Sequence, residues 1–421
     1  MNGWRFESSI ANMRRAFLGS ILALSCGCGG SDEPGSPATD AGVETSLLAD
    51  SQPADAAADS AIGATDVLVD AGSDAKAFVP ECTEFPSKPA VGTWRPLSKS
   101  GFPSNFGHAF WTGTEILAVS WNATTRGLKA YDPAKDSWRT LSIDDTAPSA
   151  RIFPLLGVVD GKLWLYGGRT SPGSKPESSG GIYDPATGTW TRIPDGGPLL
   201  DGGGDGAAPH IFGGGGKVLM LSALKGTSGE KPGAILDVAS GAWSTLEWSA
   251  DWSCVRASIV GTEGTCLGGG RVHRIRTAPP GVEDLPATPF SPQSVTWVGS
   301  HVFAWGGDDK IHTGVSWDGQ LFDPASATWT KTAPGTIARS FPLVASVGGK
   351  VVIWGGTGND PSKLTGTWFR NDGAEYDPAT DAWARMSCTG APTSSFLIGV
   401  VVGSELFVLG PSSSFFSSFS L

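Results

Sequence analysis

A two-part sequence motif repeats along this chain and restricts its fold more than any other feature. The first part is an apolar stretch that ends in two glycines, as in Gly161–Gly168, and the second is an aromatic-Asp-Pro-Ala turn leading to a tryptophan, as in Tyr131–Trp138. Copies of the second part begin at Tyr131, Tyr183, Phe322 and Tyr376, with a decayed copy at Leu236. Self-similarity at a regular spacing is typical of repeat architectures.

Each copy predicts a four-stranded antiparallel unit. A glycine pair such as Gly348-Gly349 turns the first strand into the second, and Asp-Pro forms the third turn because proline presets φ and aspartate accepts backbone hydrogen bonds. One such unit alone leaves strand edges and an apolar face uncovered, so radial stacking into a closed ring is the stable arrangement. The 59 glycines and 30 prolines among 421 residues fit short strands and turns and argue against a helical bundle.

On these motifs the chain resembles the Kelch-type β-propellers, over residues of about 90–420. The copy Gly107–Ile116 is similar to the Kelch-containing lipoproteins of bacteria. The resemblance implies an all-β ring in which every blade has four strands.

The spacing of the motif tryptophans predicts the number of blades. Trp94, Trp138, Trp190 and Trp243 are 44, 52 and 53 residues apart, and Trp329 and Trp383 are 54 apart. The gap of 86 residues between Trp243 and Trp329 holds two periods, so a degenerate blade is expected there, with Leu285 in place of the tryptophan. Its strands are expected at Cys254–Val260, Gly264–Gly270, Arg271–Ala278 and Val282–Pro286. Seven blades are predicted, or six if 254–285 is an insertion.

The last blade lacks an outermost strand in this count. Its strands Ser395–Val402 and Glu405–Gly410 are followed only by a tail rich in serine and phenylalanine. We therefore expect Gly92–Trp94 to supply the missing strand and to close the ring with both ends of the domain.

The N-terminal segment predicts an exported, lipid-anchored protein. Arginines at 14–15 precede the apolar stretch 16–24, and Cys26 follows almost directly. This order is typical of a secretory signal and is too short for a transmembrane helix. Residues 22–26 resemble the lipobox of bacterial lipoproteins, in which the cysteine is lipidated, although Ala23 stands where leucine is usual. An ordinary signal peptide is the alternative.

The segment after Cys26 predicts a disordered tether. Residues 29–77 contain no aromatic residue, and eight aspartates and two glutamates oppose a single lysine, so the segment cannot bury enough apolar surface to offset its ordering entropy. Most of the net charge of −11 lies here, and no basic cluster points to a nucleic-acid partner. We predict a lipoprotein-type signal peptide at 1–25, a tether at 26–80 and a propeller at 81–421, in an outer-membrane-anchored lipoprotein of the bacterial cell envelope.

Besides Cys26 and its neighbour Cys28, four cysteines remain, and four allow three disulfide connectivities. Aligning the degenerate blade's first hairpin by its turn sets Cys266 opposite Ile259 and Cys254 about 17 Å away, which is beyond disulfide reach. Cys254 and Cys266 are then expected to be buried thiols, and Cys82–Cys388 is the preferred disulfide.

Ligand binding is expected on one face of the ring. Antiparallel order places the loops between second and third strands on the same face as the connections between blades, and we call this the long-loop face. Loops such as Asp308–Gln320 and Thr357–Asp372 belong to it. The candidate binding residues are Arg126, Arg151, Arg169, His312, Trp317, Arg339, Trp368 and Arg370. Arginine and aromatic groups suit glycans or peptide carboxylates, whereas a structural role is the alternative for Arg151 and Arg339, which precede equivalent innermost strands.

Catalytic motifs are not evident. The copper-dependent galactose oxidase family resembles this chain in its Kelch repeats and uses two tyrosines, but here only Tyr166 lies outside the repeat positions. His108 and His210 align in innermost strands, where a structural hydrogen bond is favoured over metal ligation. We therefore expect no catalytic residue, no cofactor and no metal.

These patterns favour a monomeric binding module that takes a protein or glycan ligand and meets the membrane through its lipid anchor only. The alternative is a carbohydrate-active enzyme with its site in the propeller channel. A spacer without a ligand is the third possibility.

Overall fold

The computed structural model describes residues 90–421, all within the compact unit Ala75–Leu421. It omits 104–105, 203–209, 224–230, 247–253, 255, 261–262, 269–270, 278, 289, 309–314, 336–338, 360–366, 393–396 and 411–415. The signal peptide at 1–25, Cys26, the tether at 26–80 and Cys82 lie outside the described residues and stay predictions. Among the residues described, no helix is long and apolar enough to cross a membrane.

The described residues form seven four-stranded antiparallel sheets, which are the blades of a propeller. The first strand, β1 (Thr93–Pro96), belongs to the last blade. Blade one is β2 (His108–Trp111), β3 (Ile116–Trp121), β4 (Arg126–Asp132) and β5 (Ser137–Thr140). Blade two is β6 (Leu155–Val159), β7 (Lys162–Tyr166), β8 (Gly180–Asp184) and β9 (Thr189–Arg192). Blade three is β10 (Ile211–Gly214), β11 (Lys217–Leu221), β12 (Gly233–Asp237) and β13 (Trp243–Leu246).

The remaining blades follow the same order from the innermost strand outward. Blade four is β14 (Arg256–Val260), β15 (Glu263–Gly268), β16 (Arg271–Thr277) and β17 (Pro280–Asp284). Blade five is β18 (Ser294–Val298), β19 (His301–Asp308), β20 (Val315–Asp323) and β21 (Thr328–Lys331). Blade six has β22 (Leu343–Val347) and β23 (Lys350–Trp354), then an inserted hairpin of β24 (Thr357–Asn359) and β25 (Thr367–Phe369), then β26 (Gly373–Asp377) and β27 (Ala382–Arg385). The predicted seven-bladed all-β fold is confirmed.

Strands from both ends of the domain build blade seven. It contains β28 (Ile398–Val402), β29 (Glu405–Leu409) and β30 (Phe416–Ser420), and β1 pairs with β30 as its outermost strand. The register joins Thr93 to Ser420 and Pro96 to Ser417. The expected closure by Gly92–Trp94 is confirmed, and the serine- and phenylalanine-rich tail is itself the third strand.

The core is divided among the interfaces between neighbouring blades. Seven buried apolar clusters are found among the described residues, one for each interface. The cluster between blades one and two joins Leu117 and Leu128 to Leu156 and Leu163, for example. Burial of apolar surface between blades therefore holds the ring together.

In the Asp-Pro-Ala turns the aspartate accepts a backbone hydrogen bond, as predicted. The Asp132 carboxylate accepts a hydrogen bond of 3.0 Å from the Ala134 backbone N–H, and the other three full copies repeat this contact. In blade one the turn ends at Asp136, whose φ is +48°. Asp136 also accepts hydrogen bonds from the Tyr131 hydroxyl at 2.6 Å and from the Ser98 N–H at 2.9 Å. One aspartate thus joins the turn to the preceding connection and, with burial as the larger cause, raises the pKa of Tyr131.

The motif tryptophans of blades three, five and six each bond the blade before their own. Trp243 donates its indole N–H to the Pro194 carbonyl at 3.1 Å, and Trp383 donates to Ala333 at 2.8 Å. Trp329 makes the equivalent bond to Pro286 at 2.9 Å. Each acceptor lies in the connection that leaves the preceding blade, so these rings serve inter-blade packing, as expected.

The glycine pair that ends the second strand is required by a close approach of backbone. Gly168 has φ +76°, and a Cβ built on it would lie 2.6 Å from the Ile152 carbonyl oxygen. Gly356 in blade six has φ +85°, and its Cβ would lie 2.6 Å from the Ser340 carbonyl oxygen. Any other residue would be strained and would also clash.

The degenerate blade departs from two expectations. Leu285 does not occupy the tryptophan position: Val282 does, because it pairs with Ile275, the residue that matches the motif tyrosine in register. Seven residues separate Ile275 from Val282, as they separate Tyr131 from Trp138, so the motif position falls three residues before Leu285. Leu285 lies beyond β17 and packs in the cluster between blades four and five.

Cys254 and Cys266 are not thiols but form a disulfide, with their Cα atoms 5.4 Å apart. The expected register was wrong: Val260 pairs with Glu263, so Cys266 faces Ala257 and not Ile259. Cys254 lies outside β14 and only three residues from Ala257, the partner of Cys266, instead of five residues from Ile259. Cys388 is also disulfide-bonded, with a partner outside the described residues, and its pairing with Cys82 stays a prediction.

Candidate functional site

The two faces of the ring differ in their connections. The long-loop face carries connections such as 141–154 and 193–210, together with the β24–β25 hairpin. The opposite face carries tight turns such as 133–136 and 160–161. Side chains for ligand binding are more readily assembled from the longer connections.

Arg151 and Arg339 form equivalent buried clamps, with 3% and 0% of their surface exposed. The Nη1 group of Arg151 donates to the Gly167 carbonyl at 3.1 Å and to the Ser179 carbonyl at 3.0 Å. Arg339 donates in the same way to Gly355 at 3.1 Å and to Asp372 at 2.8 Å. Each arginine therefore links the start of an innermost strand to both ends of the loop between the second and third strands of its own blade.

Arg169 and Arg370 lie beside these clamps and are each paired with a carboxylate. Arg169 contacts Asp201 through Nε, in an ion pair whose side chains are 15% and 11% exposed. Arg370 binds Asp372 through two nitrogens, at 2.8 and 2.5 Å. Burial alone would raise the pKa of Asp372, but the Arg339 and Arg370 guanidiniums outweigh it and hold that pKa below its usual range.

Arg126 is the exposed member of the candidate set. It begins β4, and the one side-chain hydrogen bond found for it within the described residues is a long contact of 3.4 Å from Nη1 to the Pro148 carbonyl. The structure thus gathers Arg151 and Arg169 in blade two and Arg339 and Arg370 in blade six, in two separate clusters, with Arg126 in blade one.

Three aromatic or histidine candidates are less fully described. His312 lies outside the described residues. Trp317 is on β20 rather than in a loop, because β19 and β20 extend the sheet until Asp308 pairs with Val315. Trp368 is on β25, opposite Gly358. For Trp317 and Trp368 the description covers the backbone only.

Two phenylalanines that sequence reasoning missed are exposed on the long-loop face. Phe153 is 39% exposed and Phe369 is 50% exposed. Phe369 ends the β24–β25 hairpin, and Phe153 precedes β6 in the segment Arg151–Pro154, which matches Arg339–Pro342 at its Arg, Phe and Pro. That shared Arg-x-Phe-Pro sequence is the signal that could have found Phe153.

His210 occupies a buried position without the hydrogen bond that was expected. His210 is only 2% exposed, and neither of its ring nitrogens has a hydrogen-bond partner within the described part of the chain. Its backbone N–H bonds the Leu156 carbonyl at 2.8 Å, next to the innermost strand of blade two. Burial, and secondarily His108, lower the pKa of His210 to about 3.

The depressed pKa of His210 predicts acid sensitivity. Below about pH 6.5 the unfolded chain takes up a proton that the folded chain refuses until about pH 3, so the free energy of unfolding should fall with pH, by up to about 1.4 kcal/mol per pH unit. His210→Gln should flatten this slope between pH 6.5 and 4, measured by urea unfolding. His301→Gln, on β19, is the control, and an unchanged slope in His210→Gln would contradict the prediction.

The remaining candidates for chemistry are the buried Tyr166 and the acidic side chains. Tyr166 is fully buried and donates its hydroxyl to the Pro198 carbonyl at 2.9 Å. Among the described residues, no group of three or more His, Cys, Asp or Glu side chains is arranged to hold a metal ion.

Comparison with known proteins agrees with the architecture. A family model described as the Kelch motif matches residues 150–197, which span blade two. No curated protein matches the chain. A solved structure of a novel fungal alcohol oxidase in complex with copper is similar at 12% identity and a TM-score of 0.54, covering 78% of this chain and 76% of that chain. At this identity the likeness concerns the fold alone. The motif match and the seven blades support a Kelch-repeat propeller.

Proposed function

We propose that this protein is a lipid-anchored binding module of the bacterial cell envelope, which holds a protein or glycan ligand on its long-loop face. Cys26 carries the lipid, the acidic segment up to residue 80 keeps the propeller away from the membrane, and the ring presents the binding face. The Kelch propeller fold supports a binding or scaffold role in general.

The observation that carries the proposal is the concentration of candidate binding groups on one face. Phe153, Phe369 and Arg126 are exposed there, and the longest connections surround them. The structural arginines Arg151 and Arg339 brace the same loops from beneath and so hold the binding surface in one shape, which lowers the entropy cost of binding.

The proposal is tested by fractionation and by binding. In a bacterial host, the full chain should partition into the detergent phase, and Cys26→Ser should move it to the aqueous phase. The purified protein should then bind members of a mixed glycan and peptide array without consuming them.

Two results would overturn the proposal. Detergent partitioning that is unaffected by Cys26→Ser would show that Cys26 does not carry the lipid anchor. Turnover of a bound glycan, abolished by substituting one channel carboxylate while folding is retained, would replace the binding module with a carbohydrate-active enzyme.

A further inference from the structure

Phe153 combines an unfavourable backbone conformation with an exposed ring. Its φ is +55°, in the left-handed region that bulky residues rarely adopt. Phe341, the matching residue in blade six, has φ +53°, so the conformation belongs to the repeated segment. Glycine would satisfy that conformation without strain, and yet the chain carries phenylalanine at both positions. At Phe153, where 39% of the surface is exposed, packing alone does not explain the ring.

The backbone around Phe153 is held from both sides. Ile152 forms an isolated antiparallel bridge with Arg169, with hydrogen bonds of 2.7 and 2.8 Å. The Phe153 carbonyl accepts a hydrogen bond of 2.9 Å from the Gly202 N–H. These contacts fix where the ring stands, at the start of an innermost strand on the long-loop face. A strained residue that its neighbours hold so firmly is typical of a ligand-contacting position.

The same backbone contacts place an ion pair on the two segments that flank Phe153. Arg169 is the bridge partner of Ile152, Asp201 precedes Gly202, and the two side chains bind each other while remaining 15% and 11% exposed. The Asp201 backbone N–H donates to the Ser222 hydroxyl at 3.1 Å, which fixes the backbone that carries this carboxylate. Arg169 also donates through Nη1 to the Ser174 carbonyl, but a guanidinium offers up to five donors and a carboxylate about four acceptor positions, so a partly exposed pair can share bonds with hydroxyl groups. Because their charges cancel, the pair favours a neutral ligand.

The exposed apolar residues of the described chain favour a sugar over a protein as the ligand. The exposed large hydrophobic residues of the described chain are Phe153, Val238, Phe369 and Leu421. Phe153 and Phe369 share the long-loop face but belong to blades two and six, so within the described residues they form no continuous apolar patch of the kind that centres a protein interface. A sugar ring needs less: one aromatic face for its C–H groups, since that face is electron-rich, and paired donors and acceptors for its hydroxyls.

Resting on the binding function proposed above, we propose that the ligand is a neutral glycan whose sugar ring stacks on Phe153 and whose hydroxyls bond the Arg169–Asp201 pair. The strained phenylalanine is therefore retained for binding and not for stability.

The test measures binding and stability in the same variants of the full chain. The probes are neutral polymers of glucose, mannose, galactose and xylose, read by retardation in affinity gels, together with an anionic polygalacturonate and a peptide array. Phe153→Gly should weaken neutral-glycan binding by about tenfold or more without lowering the urea midpoint, because glycine relieves the backbone strain. Phe153→Trp should retain binding, and Val238→Ala, an exposed apolar residue on the opposite face, should change nothing.

The other outcomes are distinct. Peptide binding without retardation by any neutral polymer would overturn the glycan inference but agree with the proposed binding module. The absence of binding to any probe would contradict both the glycan inference and the binding module. Retardation that Phe153→Gly leaves intact, or a Phe153→Gly protein that is clearly less stable, would show that the ring serves packing.

Discussion

Replacing Trp94 with alanine should lower the free energy of unfolding by about 3–5 kcal/mol, the usual range for a buried tryptophan. Trp94 is 7% exposed, and its ring centroid lies 4.6 Å from that of Trp354 and 5.0 Å from that of Phe419. Its indole N–H donates to the Ser387 carbonyl at 2.7 Å. The residue therefore joins blade six to the strand that closes blade seven, and urea unfolding followed by tryptophan fluorescence measures the loss.

Trp383→Ala is the matched control for this prediction. Trp383 is 5% exposed and occupies the same motif position in blade six, where all four strands come from one continuous segment. We expect Trp94→Ala to be the more damaging change, because β1 has no connecting turn to β30 and can detach alone. Limited proteolysis should then cut Trp94→Ala near residues 93–97. Equal stabilities with no such cleavage would show that closure adds nothing to ordinary packing.

Replacing Arg339 with methionine should cost about 3–5 kcal/mol, because it removes one partner of a buried ion pair. Arg339 is fully buried and donates to two carbonyls and, at 3.2 Å, to the Asp372 carboxylate. Methionine keeps much of the volume, but it leaves the two carbonyls without this donor and the Asp372 carboxylate with Arg370 as its remaining ion-pair partner. Thermal unfolding with circular dichroism, checked by urea titration, gives the change.

Arg151→Met isolates the ionic part of that loss. Arg151 makes the equivalent bonds to two carbonyls and donates further to the Ser149 carbonyl and hydroxyl, but the Ser179 hydroxyl stands in place of the aspartate carboxylate. Its substitution should therefore cost less, about 1–3 kcal/mol. The Asp372 contribution to wild-type stability is present above the unfolded pKa near 3.8 and is lost as the pH falls, so the gap between the two variants should narrow in acid. Equal losses at neutral pH would contradict the ionic role.

The blades could be predicted because their signals are local. An Asp-Pro-Ala turn and a left-handed glycine each restrict a few neighbouring residues, and the repeat shows where these restrictions recur. Blade four lacks these signals, and its register depends on two-residue turns such as 261–262. One residue of difference in such a turn moves every cross-strand partner. The disulfide between Cys254 and Cys266 was missed for this reason.

The candidate site was predicted less well, because side-chain direction is not a local property. The pattern identified Arg151 and Arg339 as equivalent, but their guanidiniums point to carbonyls inside the protein. Phe153 resembles a core residue in the sequence, since nothing in an Arg-x-Phe-Pro segment indicates a positive φ. Its exposure results from the bridge to Arg169 and the bond to Gly202, which bring together residues far apart in the chain.

Pairing of Thr93 with Ser420 makes closure of the ring depend on both the first and the last strand of the propeller. The ribosome makes β1 before any blade and β30 after all the others, so a nascent chain of any shorter length carries an outermost strand with no neighbour to accept it. Contacts between such distant residues form slowly, and unpaired edges remain open to aggregation until they do. A prematurely terminated product can build blades but cannot finish the circle, and its unsatisfied edge would mark it for proteolysis.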